Sequence, residues 1–212
     1  MSATRPVIVL GAGGHAKVVI ATLKAAGVEI IGVTDPDSKT HGQSILGVPV
    51  LGGDELAMKH KQGEIELVNG IGSTRPSPKR RHIFERFKRA GYGFHAVVHP
   101  SAVIGEETDI GEGAQIMAGA VVQPGCRIGV DAIVNTHASV DHDCVIGAHA
   151  HVAPGAVLGG GVTIGDGAHV GAGSTVIQNV SIGAGALVAA GAAVVANVVA
   201  GGNVAGVPAR QM

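Results

Sequence analysis

The chain has 212 residues, with 15 basic and 16 acidic side chains and a net charge of −1, so no field of one sign points to nucleic acid or an anionic membrane. A hydrophobic content of 46% excludes a disordered chain, and two cysteines in a chain this long exclude a disulfide scaffold. Glycine reaches 35 residues without the strict third-residue spacing of collagen, and Phe, Tyr and Trp together number four: Phe84, Phe87, Tyr92 and Phe94.

Composition divides the chain into residues 1–95 and 96–212. The first part holds 13 basic and 8 acidic residues and all four aromatics; the second holds 2 basic residues, Arg127 and Arg210, and 8 acidic ones. His99-Pro100 marks the entry to the second part, because Pro biases its predecessor toward extended backbone. The opening MSATRPVIVLGAGG has no apolar stretch of signal-peptide length before its glycines, and a cytoplasmic protein is expected.

In chain order, Pro6–Leu10 is a short apolar run of the kind expected for a buried parallel strand. The loop Gly11-Ala12-Gly13-Gly14-His15 follows, then a helix over His15–Ala26 ended by Gly27, and a strand over Val28–Val33 closing at Asp35. Asp54 is expected to cap a short helix over Glu55–Lys61, and Glu66–Ile71 reads as a third strand. Ser77-Pro78 is a helix start, with a cap residue ahead of Pro at the first helical position, and that helix runs to Ala90. Its basic set, Lys79, Arg80, Arg81, Arg86, Lys88 and Arg89, reads as a solvated face. The whole is a small α/β unit with a parallel sheet.

The second part repeats. Stepping by six from Val98 gives Ile104, Ile110, Ile116, Val122, Ile128, Val134, Val140, Ile146, Val152, Leu158, Ile164, Val170, Val176, Ile182, Val188 and Val194, without an insertion. Two residues before each stands mostly Ala, Cys, Ser or Thr. A period of six suits neither a helix nor a free strand; it suits short strands joined by tight turns. Three such sides make one 18-residue coil, and coils stack as parallel strands into a β-helix of five to six turns. So thin a prism has no room for aromatic rings. The stretch from Gly167 to Ala209 lacks Asp, Glu, Lys and Arg, but it keeps the six-residue phase, which argues against a membrane span. Cys126 and Cys144, 18 apart, stack as two packed core thiols.

Four histidines fall in one window: His137, His142, His149 and His151. His142 lies between Asp141 and Asp143, and a carboxylate beside an imidazole fixes its tautomer and raises its basicity, as a general base requires. His142 and His151 are half a coil apart, hence on different sides of one prism, and share a site only across a subunit boundary. His151 and His169 stack, as do Ala172 and Ala190. The N-terminal Gly loop, between strand and helix, can hold a phosphate with its backbone N–H groups; Asp35 and Asp37 follow at the next strand end. With only about 95 residues ahead of the prism, one nucleotide-sugar fits better than NAD. Gly70, Gly72 and Arg75 close the third strand beside this pocket.

The repeat resembles the left-handed β-helix of the hexapeptide acyltransferases, and its handedness is taken from that resemblance. The window from Asn135 through His142 and Asp143 to His151 is similar to bacterial sugar acetyltransferases, which include sialic acid O-acetyltransferases and N-acetyltransferases of 4-amino-deoxysugars such as bacillosamine and perosamine precursors. The resemblance spans nearly the whole chain. It implies an acetyl-CoA-dependent N-acetyltransferase acting on the C4 amine of a nucleotide-linked 4-amino-deoxysugar, with a lean to GDP-perosamine-type acceptors on overall likeness. It also implies a homotrimer with sites between subunits, and no metal. On this likeness His142 and Asp143 are the base and its partner. Gly13, Gly14, His15, Asp35, Asp37, Gly72 and Asn135 meet the sugar nucleotide. His151 and Gly160 meet acetyl-CoA, Gly160 through its backbone N–H; Ala172 and Ala190 are placed by their shared column to line the CoA pantetheine. The closing Gly206–Arg210 (GVPAR) resembles the family's C-terminal signature near the CoA adenine. O-acetylation of a sialic-acid-type sugar uses the same base chemistry and stands as the alternative. A zinc carbonic anhydrase of this fold is a remote one, since His137 and His142 resemble two of its ligands while the third position is Ser101. A non-catalytic trimeric scaffold is a further class.

Overall fold

The computed structural model describes residues 5–212. The first unit consists of β1 (Val7–Leu10), α1 (Gly14–Ala25), β2 (Ile30–Thr34), β3 (Ser44–Ile45), β4 (Val48–Gly52), β5 (Glu66–Asn69) and α2 (Pro78–Arg89). Its sheet runs in the order β3-β4-β2-β1-β5. β4, β2, β1 and β5 are parallel, and β3 pairs with β4 antiparallel. β1 is buried at every residue, as its unbroken apolar run requires. α1 packs Ala16, Val19, Ile20 and Leu23 into the core, and the Ser77 side chain caps α2 by accepting from the Lys79 amide at 3.4 Å.

Two expectations change here, and one element is new. The β3–β4 hairpin carries no sequence signal: its turn uses Leu46 and Gly47, both at positive φ, and Leu offers none of the Asn-Gly pattern that usually announces such a turn. Asp54 does not cap its short helix: Gly53 holds that position, while the Asp54 carboxylate accepts from Thr34 Oγ1 at 3.0 Å and pairs with Arg86 at 3.3 Å. Arg80 is not on a solvated face; it is 3% exposed, unlike its neighbours Arg81 and Lys79.

From Val97–Val98 to Ala193–Val194 the chain forms seventeen two-residue strands, each ending on one of the aliphatic residues of the repeat. Up to Thr175–Val176 every strand pairs in parallel with the one 18 residues on, as Val121 does with Ser139 and Ile133 with His151, so the strands build three sheets around a prism. The aliphatic residues point inward, and from Ile116 to Val194 none is more than 2% exposed. At about 1.5–3 kcal/mol for each fully buried side chain of this size, their burial dominates the prism's stability. The segment 167–209 lies in these coils and the hairpin that ends them, and no helix among the described residues is long and apolar enough to cross a membrane. After Val194 the phase breaks, and Asn203–Ala205 pairs antiparallel with Arg210–Gln211 to close the end.

The first unit covers one of the three faces. Along that face the outward residues Val97, Gln115, Ile133, His151 and His169 are buried, whereas Val103, Val145 and Val157 on the other two remain exposed. The two parts also share a core: Val97 and Met117 of the prism pack into the apolar cluster under α1, and Phe94, just ahead of the prism, bridges Leu67 of β5.

Candidate active site

A cleft of about 1130 Å³ opens where the first unit meets the prism. One wall is the loop between β1 and α1, with Gly11, Gly13, Gly14 and His15; another is the loop after β5, from Gly70 to Arg75; the floor is the prism face from Asn135 and His151 to Ala172 and Ala190. Gly11 has φ +97°, which side-chain-bearing residues rarely adopt. Gly13 and Gly14 are different: neither has positive φ, and nothing lies within 4 Å of a Cβ built on either. Glycine there leaves open an approach to the backbone N–H groups at the start of α1, which favour an anion.

Asp35 lines the cleft and shapes it. Its Oδ2 accepts from the Ala12 amide at 2.6 Å and its Oδ1 from the Asp37 amide at 2.8 Å, so it pins the Gly loop. Asp37 lies outside the cleft lining; its carboxylate accepts from the Lys39 amide at the start of a short 3₁₀ turn. A Cβ on Gly72 would come within 2.8 Å of the His15 Cβ, so the loop after β5 packs directly on the start of α1.

Behind the cleft runs a buried polar network that sequence reasoning missed. Arg80 Nη2 pairs with Asp131 Oδ1 at 2.7 Å, its Nε donates to the Asp131 carbonyl at 2.9 Å, and its Nη1 donates to the carbonyls of Ile71 at 2.8 Å and Asn69 at 3.1 Å. His149 Nδ1 meets the other Asp131 oxygen at 2.9 Å. Gln115 donates to the Asn69 carbonyl at 2.7 Å, which leaves its Oε1 to accept from His15 Nε2 at 2.8 Å. Burial and then the nearby Arg80 cation hold His15 down to about 4, so the ring is neutral at pH 7 with its proton on Nε2. One signal in the sequence could have exposed Gln115: it shares an 18-residue column with His151 and His169.

The Asn135 amide nitrogen donates to His151 Nε2 at 3.0 Å, so His151 carries its proton on Nδ1, facing Ser73 Oγ at 3.1 Å. Burial, followed by the nearby His169, His15 and Arg80, pushes His151 down to about 2. The His169 ring stands edge-on to it, with centroids 4.9 Å apart, and burial lowers its pKa as well.

His142 lies elsewhere. It sits with Asp141, Asp143 and Gly160 in a separate cavity of about 410 Å³ at a corner of the prism. Its Nδ1 meets Asp143 Oδ2 at 2.7 Å, and its backbone N–H donates to Asp141 Oδ1 at 2.8 Å. Asp143 has φ +58°, a conformation that Asp tolerates better than most residues. Since a carboxylate only accepts, the imidazole carries its proton on Nδ1 and presents a free Nε2. A Cβ on Gly160 would fall 2.6 Å from that Nε2, so the ring lies against Gly160. The Asp143 hydrogen bond, then the Asp141 charge, raises the His142 pKa. His137 is a turn residue at φ +55° and Ser101 hydrogen-bonds His99; among the described residues no three of His, Cys, Asp and Glu gather as a metal site.

Comparison with known proteins places this geometry in a family. Residues 6–87 match the PglD N-terminal domain, and residues 143–178 match the bacterial transferase hexapeptide family (six repeats). Among solved structures, a histidine-to-asparagine variant of perosamine N-acetyltransferase from Caulobacter crescentus, in complex with CoA and GDP-perosamine, is 36% identical, covers 98% of this chain and 96% of its own, and superposes with a TM-score of 0.89. The acetyltransferase domain of PglB from Neisseria gonorrhoeae, in complex with acetyl coenzyme A, is 35% identical over 99% of this chain and 100% of its own, with a TM-score of 0.91. WeeI from Acinetobacter baumannii is 29% identical over 99% and 100%, with a TM-score of 0.85. A search of curated proteins returned no match. The chain belongs to the bacterial sugar acetyltransferases of the hexapeptide-repeat, left-handed β-helix superfamily, in the branch that carries a PglD-type N-terminal domain.

Proposed function

We propose that the protein transfers the acetyl group of acetyl-CoA to the C4 amine of a nucleotide-linked 4-amino-deoxysugar, a GDP-perosamine-like or UDP-linked acceptor, in the cytoplasm. The observation that carries the reading is the His142 corner: Asp143 holds Nδ1–H at 2.7 Å and leaves Nε2 free beside Gly160. Nε2 takes a proton from the amine as its nitrogen attacks the thioester carbonyl. The developing oxyanion is received by the Gly160 N–H, which has no acceptor within the described residues. Collapse breaks the C–S bond, and the imidazolium returns its proton to the departing CoA thiolate. Direct attack is favoured over an acyl-enzyme because both cysteines are buried in the prism and burial raises both thiols, Cys144 to about 11.

The nucleotide end is assigned to the cleft. Its support is the unobstructed helix start at Gly13 and Gly14, the pinned loop at Asp35, and the cationic Arg75 and Lys79 in the lining. His15, Gly72 and Asn135 face the sugar, and His151, Ala172 and Ala190 continue the floor toward CoA. In one chain His142 and this cleft are separate cavities. A homotrimer, in which one copy's His142 faces its neighbour's cleft, resolves that separation. The relatives in complex with CoA, acetyl coenzyme A and GDP-perosamine support both ligands.

The test is a screen of UDP- and GDP-linked 4-amino sugars against acetyl-CoA, read by free thiol release, with hydroxyl acceptors of the sialic acid type alongside. Amine acceptors are expected to turn over. His142→Ala is expected to lower kcat by about 10²–10⁴-fold while the protein keeps its oligomeric state. Turnover of hydroxyl acceptors alone, or an unimpaired His142→Ala enzyme, contradicts this reading.

A further inference from the structure

The three corners of the prism are not closed alike. At two of them a four-residue turn is sealed by a backbone bond, as from Ala132 N–H to the Gly129 carbonyl at 3.2 Å or from Ala138 N–H to the Asn135 carbonyl at 3.0 Å. At the third corner, among the described residues, none of the turns ending at Thr108, Cys126, Cys144, Val162 or Val180 makes this bond. That third corner carries His142 and Gly160. Three of the carbonyls left open by it, those of Gln123, Asp141 and Gly159, are met from inside the prism by the side chain one coil below. Cys126 Sγ donates to the Asp141 carbonyl at 3.1 Å, and Cys144 Sγ donates to the Gly159 carbonyl at 3.2 Å. Thr108 Oγ1 points the same way at the Gln123 carbonyl, at 3.5 Å. Above Cys144 the column turns to Val162 and Val180, which have nothing to donate. The two thiols therefore act on two particular peptides: the one linking Asp141 to His142 and the one linking Gly159 to Gly160.

We propose that Cys126 and Cys144 are positioning residues for acyl transfer. From within the core, the first fixes the peptide that aims the His142 ring, and the second fixes the peptide whose N–H belongs to Gly160. The proposal rests on His142 and Gly160 acting as base and oxyanion donor. The Gly159–Gly160 peptide has no side chain to anchor it and no turn bond, so the thiol beneath is the contact that sets the orientation of its plane. A half-buried carbonyl stripped of its donor regains one by tilting toward another, and a tilt of the peptide moves the N–H on its other side. The Asp141–His142 peptide has one further anchor, Asp141 Oδ1, which accepts from its N–H at 2.8 Å; there a tilt carries the imidazole.

The column supplies its own test substitutions. Val occurs in it at 162 and 180 and Thr at 108, so both fit the corner; they match in shape and differ in having a donor. Cys126→Val and Cys144→Val are each expected to lower kcat about 5-fold, with KM for acetyl-CoA nearly unchanged. Cys126→Thr and Cys144→Thr are expected to stay within about 2-fold of the parent. Melting temperatures are measured for all four, and the two sites give independent pairs should one Val variant fail to fold. Equal kcat in the Val and Thr members of both pairs, or a Val effect confined to the melting temperature, overturns the proposal. His142→Ala is assayed alongside: normal turnover there overturns the base assignment and this inference with it. Loss of turnover in His142→Ala together with matching Val and Thr rates overturns the positioning role alone.

Discussion

At the scale of single residues, the placement of protons separates the histidines. His15 and His151 are buried and bonded through nitrogens whose roles their partners fix, and both are held neutral far below the usual imidazole range. His142 is exposed, and its hydrogen bond to the Asp143 carboxylate raises its pKa. Only the last combination leaves a basic nitrogen facing open space. With His142 as the proposed base, the acid limb of the kcat/KM profile is expected at higher pH than for a free imidazole. Asp143→Asn removes the largest cause of that elevation. Its acid limb is expected to move to lower pH, and its plateau to fall by about 10-fold or more as the Nδ1–H anchor weakens. A pH–rate series on both proteins checks this; an unmoved limb dissociates the limb from the His142–Asp143 pair.

At the scale of elements, α2 shows how one residue within a charged helix can differ from the rest. Five of its six basic residues reach solvent, while Arg80 turns inward to Asp131 and to two carbonyls at the end of β5. The bond to Ile71 fixes the loop that walls the cleft, so this pair joins the first unit to the prism and shapes the pocket at once. Arg80→Ala leaves Asp131 buried with an uncompensated charge and is expected to cost about 3–5 kcal/mol of stability, read by urea unfolding. In whatever fraction remains folded, KM for the sugar nucleotide is expected to rise more than KM for acetyl-CoA. A variant as stable as the parent contradicts the role of this pair. Of the elements themselves, the strands and helices with clear boundaries were legible: the apolar run of β1, the Ser77-Pro78 start of α2, and all seventeen inward aliphatics. The β3–β4 hairpin was not, because Leu46 gives no turn signal and Pro49 interrupts an otherwise strand-like run.

At the scale of the whole molecule, a prism has three faces and each 18-residue coil visits all of them. His142 and His151, half a coil apart, cannot meet within one chain, and the two cavities reflect this. Mixing two inactive proteins tests the consequence. His142→Ala removes the proposed base but leaves the cleft; Gly14→Asp puts a carboxylate at the helix start and is expected to spoil the cleft but leave His142 in place. If each site draws on two copies, refolding the pair together is expected to restore a readily measured fraction of parental turnover. No recovery in mixed oligomers would place base and acceptor on the same chain.

The six-residue phase determined the coil, the inward and outward sides of every strand, and the stacking of residues 18 apart, because one repeated register leaves the backbone no other way to bury its aliphatics. It also brought His142 beside Asp143, as chain neighbours in one turn. Tertiary structure alone decided which face of the prism the first unit would cover, and hence that Gln115, His151 and His169 are buried while residues at the same phase on the other faces are wet. It also decided that Arg80, spaced like any solvated arginine, ends in an ion pair with a residue 51 positions away. Such pairings depend on how the first unit packs on the prism, and no local period records that.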